Sequence, residues 1–483
     1  MVCALLAACG TRLPDEAFVE AGVAAGGGGL AAGPGGANAT TGSTLPGGAP
    51  APTIAGGSGG PGATLPGGAP APGSGPAAGG PNQASDVGIT ETTIRIGTIV
   101  AENGILGDAF APAVRGLRAW VEWINAQGGI NGRTVELFTC DDREDRSRAL
   151  QCAQRLVERD QVFALVATNT RALGGAATYL AESGIPVLGI PITNAFNRFQ
   201  NFYSVYGSGY PRDGSAVGDD NTLNSQTGVY RWFRENMGVT EAAVFYYDIP
   251  ESSQAGEFIQ KGLELEGFNV TPYVVSFAAP SFDQAVADME RRGVEIIMDG
   301  MDDGANRALC DAMSRRGFSV RAKVSTIVVY GASVGTTFNE TCRNSMYVPG
   351  DSAPYTDTSV PIIAEFNTAM ARYQPGEELH QWALEAWFMA SIVQDGVAAM
   401  GAAPTRAGFV QFINGLENYT GNGIMDEVDY QVEDHTAPTR EHCFVIVRWQ
   451  DTAPGGWIRA TPSFPYCIAD AKQYQTGIAE DGT

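Results

Sequence analysis

Between residues 93 and 193, apolar runs of strand length take turns with longer helical patterns, and no other feature narrows the possible folds as much. The strand-like runs are 93–99, 134–139, 162–166 and 185–190, and the helical patterns between them are 110–127, 147–158 and 173–183. Strand and helix joined by loops of a few residues are the signature of βαβ units, which build a parallel sheet. Such sheets bind small molecules in the crevice beyond the carboxyl ends of their strands. A binding site is therefore expected there.

A second series follows. A helix is predicted over 227–236, then strand 242–247, helix 253–266, strand 270–277, helix 282–291, strand 294–299, helix 305–316, strand 324–330 and a short strand 345–348. Helical segments 361–372 and 379–399 come late, and a strand 443–449 closes the pattern, while 339–343 reads as a loop. The expected fold is therefore α/β, with two doubly wound lobes joined by a hinge. By range, 89–205 forms the first lobe, 206–350 the second, and 351–475 the crossing and C-terminal segments that complete both. A cleft between two lobes is a common place for a small-molecule site.

The chain has 483 residues, enough for two or three ordinary domains. Its net charge of -23 argues against nucleic acid, because neutralising phosphates needs a basic face. Eight cysteines fall into two groups. Cys3 and Cys9 stand at the start, and Cys140, Cys152, Cys310, Cys342, Cys443 and Cys467 lie in the globular part. The second group lacks C-x-x-C or Cys/His metal spacing and reads as three disulfides between sequence neighbours in an oxidising compartment, the alternative being buried thiols.

Residues 1–9 read as a signal remnant. Leu6-Ala7-Ala8-Cys9 resembles a bacterial lipobox, in which the cysteine receives lipid, although the basic stretch of a signal peptide is missing. Residues 10–88 read as a low-complexity linker of Gly, Ala and Pro containing the sequence TLPGGAPAP twice, at 44–52 and 64–72. Such a segment cannot bury enough apolar surface to offset its ordering entropy. No later segment is apolar for long enough to span a membrane.

A family resemblance becomes specific at NAQGGINGR, residues 125–133, with an amphipathic helix before it and a strand ending in Cys140-Asp141-Asp142 after it. Together with the polar loop Ala167-Thr168-Asn169-Thr170 and the segment Gly184-Ile185-Pro186-Val187 leading to Pro191-Ile192-Thr193-Asn194, it resembles type I periplasmic binding proteins. Within them it is most similar to the branched-chain amino acid subfamily of ABC-transporter substrate-binding proteins. The glycines of the motif also have a structural meaning, since they end a helix and supply positive φ.

The resemblance implies a monomer that closes two lobes on a solute and presents it to an ABC permease at the outer face of the cytoplasmic membrane or in the periplasm, lipid-anchored or secreted. It implies no cofactor and no metal. Thr168, Asn169, Thr170 and Thr193 carry over as groups that meet the ligand's carboxylate; hydroxyls and N–H groups at a helix N-terminus suit an anion. Thr170 also reads as a helix cap. In the second lobe the loop at Tyr330-Gly331-Ala332-Ser333 lacks the family's acid, so Asp299, Asp302 or Asp303 would supply charge, and Tyr247 or Asp248 would cover the ligand. An amino acid is the expected solute, and amides, small peptides and aromatic acids stay open.

Two motifs invite other readings. Gly331-Ala-Ser333-Val-Gly335 matches the G-x-S-x-G nucleophile elbow, which needs a following helix and a histidine base. Glu433, His435, His442 and Cys443 cluster in sequence without the spacing of a helical zinc site. The acidic run Asp141, Asp142, Glu144 and Asp145 reads as a solvated helix N-terminus. A solute receptor is thus expected, against a sensor module without a permease or a surface serine hydrolase at Ser333.

Overall fold

The computed structural model describes residues 80–104, 107–207, 222–430, 442–453 and 455–477. The lipidation site expected at Cys9, the repeats of the linker, Glu433 and His435 lie outside the described residues. The first lobe runs β1 (Thr93–Val100), α1 (Gly107–Ala126), β2 (Thr134–Asp141), α2 (Arg146–Gln154), β3 (Ala164–Thr168), α3 (Gly174–Ser183), β4 (Val187–Gly189), α4 (Ala195–Arg198) and β5 (Phe202–Ser204). The five strands form a sheet in the order β2-β1-β3-β4-β5, parallel throughout.

The chain continues with β6 (Thr222–Gln226), α5 (Gly228–Met237), β7 (Glu241–Tyr247), α6 (Pro250–Leu265), β8 (Asn269–Val275), α7 (Asp283–Arg292), β9 (Ile296–Asp299), α8 (Asp303–Arg316), β10 (Ala322–Val324), α9 (Val334–Thr337), α10 (Glu340–Arg343) and β11 (Met346–Gly350). Then come α11 (Pro361–Tyr373), α12 (Gln381–Met400), α13 (Arg406–Asn414), β12 (His442–Trp449), β13 (Trp457–Arg459), β14 (Tyr466–Ile468) and β15 (Gln473–Gly477). The second sheet has the order β13-β12-β11-β10-β9-β7-β8, with β14 on β12. Its parallel part, β8-β7-β9-β10-β11, repeats the strand order of the first sheet, and β12 and β13 add antiparallel strands. Two doubly wound lobes are present, as the alternating pattern requires.

Local chemistry explains the main elements. The glycines of the 125–133 motif take positive φ, 97° at Gly128, 74° at Gly129 and 76° at Gly132, which turns the end of α1 into β2. Helices α3, α5, α7 and α8 each end on a left-handed glycine, at Gly184, Gly238, Gly293 and Gly317. Helix α12 is buried around most of its circumference, because α1 and α13 cover it and its Leu384, Trp387, Phe388 and Ile392 join a core shared with both lobes. Three disulfides join the expected neighbours, Cys140–Cys152, Cys310–Cys342 and Cys443–Cys467.

Several expectations need correction. The strand predicted over 324–330 stops at Val324, and Ile327–Val329 is a 3-10 turn. Ser325, just past the strand, still donates its N–H to the Tyr347 carbonyl at 2.9 Å, and its hydroxyl donates to the Asp299 carboxylate at 3.2 Å. The loop predicted over 339–343 contains α10, because Asn339 caps it by accepting from the Cys342 N–H at 3.1 Å. Asp142 is not solvated. It is fully buried, accepts from the Glu144 N–H at 3.0 Å, and burial pushes its carboxyl up to about 6. The described end of the expected linker is held in place: Asn82 donates to the Asn131 carbonyl at 2.9 Å, and Asp86 accepts from the Arg406 N–H at 2.6 Å.

Candidate functional site

A cavity of about 410 Å³ opens between the two sheets. Its walls come from residues just beyond the carboxyl ends of parallel strands: Arg171 after β3, Ile190 to Asn194 after β4, Tyr206 after β5, Tyr247 at the end of β7, Gly300 to Asp302 after β9, and Thr326 to Val328 after β10. This is the crevice that doubly wound sheets offer. Phe110 of α1 and Trp382 of α12 close it from the shared core. The volume falls in the range of small-molecule pockets, roughly 300 to 1,000 Å³.

Most of the wall is apolar. Phe110, Ile190, Ile192, Ile249, Phe258, Phe277, Met301, Ile327, Val328 and Trp382 all contribute. Among the described residues the Thr193 hydroxyl there has no protein hydrogen bond, and the Trp382 indole N–H has only the Tyr206 hydroxyl beside it. Unmade bonds at buried donors cost about 1 to 3 kcal/mol each, so such an atom in a ligand-sized cavity points to a ligand's polar group.

Arg171 is the cation of the wall. Its Nε donates to Glu144 at 3.2 Å, and its guanidinium lies over the Phe277 ring, 4.9 Å from the centroid. Among the described residues its two terminal nitrogens have no protein partner. Asp302 is the carboxylate of the wall, and both of its oxygens are engaged. Oδ1 caps α8 by accepting from the Ala305 N–H at 3.2 Å, and Oδ2 accepts from the Tyr247 hydroxyl. Burial and this carboxylate push the Tyr247 hydroxyl well above the usual tyrosine range.

The predicted site residues divide. Thr193, Tyr247 and Asp302 come together at the cavity. Thr168, Asn169 and Thr170 do not reach its wall: all three are buried at the end of β3, and the Thr170 hydroxyl accepts from the Ala172 N–H at 3.0 Å as a cap. A bulge at Ala167, which takes φ of 56°, shifts the register against β4 and turns this loop inward, so the next residue, Arg171, faces the cleft instead. Asp248 accepts from the Phe277 N–H at 2.8 Å and stands outside the lining. Tyr330 packs in the core against Tyr355 and Trp457. Asp299 is buried under the wall, paired with Lys323 at 2.5 Å, and Asp303 pairs with Arg307 at 3.0 Å in a neighbouring recess. Arg171, Phe277, Tyr206 and Trp382 were not anticipated; a local signal existed for Arg171 alone, which directly follows the polar loop.

Residues 93–454 match the family described as periplasmic binding protein. The chain belongs to that family. Several solved structures share the fold of this binding protein. A fatty acid ABC transporter substrate-binding protein from Thermomonospora curvata is 15% identical with a TM-score of 0.64, covering 79% of this chain and 95% of its own. The branched-chain amino acid transporter substrate-binding protein LivJ from Streptococcus pneumoniae, in complex with isoleucine, is 15% identical with a TM-score of 0.61, covering 77% and 100%. An ABC transporter solute-binding protein from Rhodopseudomonas palustris, in complex with 3,4-dihydroxybenzoic acid, is 13% identical with a TM-score of 0.59, covering 81% and 99%. No curated protein matches the chain. At these identities the neighbours establish the fold, and the solutes those proteins are named for or hold are chemically different.

In this binding protein Ser333 makes no hydrogen bond to a histidine among the described residues. Its hydroxyl donates to Glu378 at 3.2 Å, while the buried His380 accepts from the Trp382 N–H at Nδ1 and places Nε2 3.3 Å from the Val328 carbonyl. His442 accepts from the Gly228 N–H at 2.9 Å, and Cys443, beside it, is taken by its disulfide. Among the described residues no helix is long and apolar enough to cross a membrane.

Proposed function

We propose that the protein is the solute-binding component of an ABC importer and traps a small solute with an apolar body and a polar head by closing its two lobes. The observation that carries this reading is the interlobe cavity of about 410 Å³, apolar over most of its wall, with the Thr193 hydroxyl buried in it without a protein partner among the described residues. The apolar wall supplies affinity by excluding water from the solute, and the few polar groups fix its orientation. A branched-chain amino acid, the solute expected from the sequence, belongs to this broad class. Thr193, Tyr247 and Asp302 are the predicted residues retained for contact, with Arg171, Phe277 and Trp382 added.

Delivery would follow closure: the closed form presents a surface spanning both lobes, which a permease can read. A lipid on Cys9, with the Gly/Ala/Pro linker as a tether, would hold a monomer at the outer face of the cytoplasmic membrane. The test is small-angle scattering together with thermal shift across a panel of amino acids, amides, short peptides, and aliphatic and aromatic acids. Contraction and stabilisation with one class support solute capture. Silence across the panel, from protein shown to be folded and stripped of ligand, would sink it.

A further inference from the structure

The polar groups of the cavity are unevenly divided between donors and acceptors, and this narrows the solute. Among the described residues two donor groups at the wall lack a protein partner, the terminal nitrogens of Arg171 and the Thr193 hydroxyl, and the Trp382 indole N–H has only the Tyr206 hydroxyl beside it. A hydroxyl can also accept, but a guanidinium and an indole cannot. The carboxylates near the wall already accept hydrogen bonds, although Asp302 takes its bonds from neutral donors and has no cation paired with it among the described residues. Asp302 bonds the Tyr247 hydroxyl and the Ala305 N–H, and Asp299, beneath it, holds Lys323 at 2.5 Å, Asn306 at 2.9 Å and Ser325 at 3.2 Å. Asp248 sits outside the lining and is bonded to the Phe277 N–H. Glu385 lies behind Tyr206, bonded by its hydroxyl at 3.0 Å and by Ser352 at 2.8 Å.

An α-amino acid brings an ammonium as well as a carboxylate. Moving an ammonium out of water requires an opposed charge to receive it, and the carboxylate available at the wall among the described residues, Asp302, already holds a hydrogen bond at each oxygen. A carboxylate without an amino group suits this wall better, because it presents acceptors alone to a set of donors and Arg171 can meet it with paired N–H groups. Resting on the reading of the protein as a solute trap, we propose that its solute is an aliphatic or aromatic carboxylate lacking an α-ammonium group, with Arg171, Thr193 and Trp382 around the carboxylate and Phe277 and Met301 along the apolar body.

Matched pairs test this by titration calorimetry on the full chain after stripping of bound ligand: 4-methylpentanoate against L-leucine, and 3-phenylpropanoate against L-phenylalanine, with the corresponding primary amides as a third arm. The expected result is that at least one carboxylate binds about 100-fold or more tightly than its amino acid. Arg171→Gln, which also removes the contact with Phe277 for every solute, should then weaken the carboxylate at least about tenfold more than the amide. An amino acid that binds within about tenfold of its carboxylate, or more tightly, overturns the inference and leaves solute capture standing. Equal losses for carboxylate and amide in the variant overturn the assignment of Arg171 as the anion seat. If no compound of any arm binds, and the wider scattering panel is also silent, capture itself falls and the inference goes with it.

Discussion

The Arg171 guanidinium lies 4.9 Å from the centre of the Phe277 ring, so a first-lobe cation rests on a second-lobe aromatic face at the wall of the cavity. Partly desolvated cation–π contacts contribute about 0.5 to 2 kcal/mol. The contact exists only while the lobes are together, which makes it a latch on closure. Phe277→Leu keeps the apolar wall and removes the quadrupole. Ligand-free scattering should show a larger mean radius of gyration for this variant, and solute affinity should fall about 2- to 10-fold, since the closed state that binds is less populated. An unchanged radius and affinity would show that the contact does not bias closure.

Thr193 offers a cleaner probe of direct contact, because its hydroxyl is buried at the wall without a protein partner. Thr193→Val preserves shape and removes the donor. In the absence of ligand the melting temperature should hold or rise, because an unsatisfied polar atom has been replaced by a methyl group. Solute binding should weaken by about 1 to 1.5 kcal/mol, roughly 5- to 12-fold. Calorimetry and thermal shift on the same preparation read both effects.

Glu385 predicts a pH dependence. It is fully buried on α12, where Tyr206, next to the crossing from β5, and Ser352, just after β11, both donate to it, and burial pushes its carboxyl up from 4.5 to about 8. The folded form therefore keeps a proton that the unfolded chain loses. The stabilisation from this group is complete below about pH 4.5 and is lost as pH rises through about 8, which amounts to roughly 3 kcal/mol between pH 6 and pH 9. His380 and His442, both held neutral by burial down to about 4, act in the opposite direction, adding stability as pH rises towards 6.5. Glu385→Gln should abolish the alkaline loss and leave the acid limb in place. Urea unfolding of both proteins at pH 6 and pH 9 measures the difference.

The fold was legible because its signals are local: alternating strand and helix periods, and glycines placed where α1 turns into β2. The failures have equally specific causes. Ile327, Val328 and Val329 carry the residue types of a strand, yet tertiary contacts fold them into a 3-10 turn beside the cavity. Thr168, Asn169 and Thr170 have ligand-binding chemistry, but the bulge at Ala167 aims them inward and brings Arg171 forward, and no sequence period encodes a bulge. Phe277 and Trp382 reach the cavity from segments 105 residues apart, so their meeting depends on the closed packing of both lobes.

The last prediction concerns the support of the site. Lys323 and Asp299 form an ion pair at 2.5 Å with neither side chain exposed, and Asn306 and Ser325 complete its bonds. Asp299 ends β9 and leads into Gly300, Met301 and Asp302, which line the cavity, so the pair holds that wall in place. Lys323→Met leaves a buried carboxylate without its counter-charge and should cost about 3 to 5 kcal/mol of stability. In Lys323→Met combined with Asp299→Leu no charge is stranded, so the double variant should be more stable than the single one, although Ser325 then loses its acceptor and Asn306 keeps only its bonds to the Met301 and Asp302 carbonyls. Urea denaturation of the wild type and both variants decides this. A double variant no more stable than Lys323→Met would mean that lost packing, rather than an unpaired charge, sets the cost.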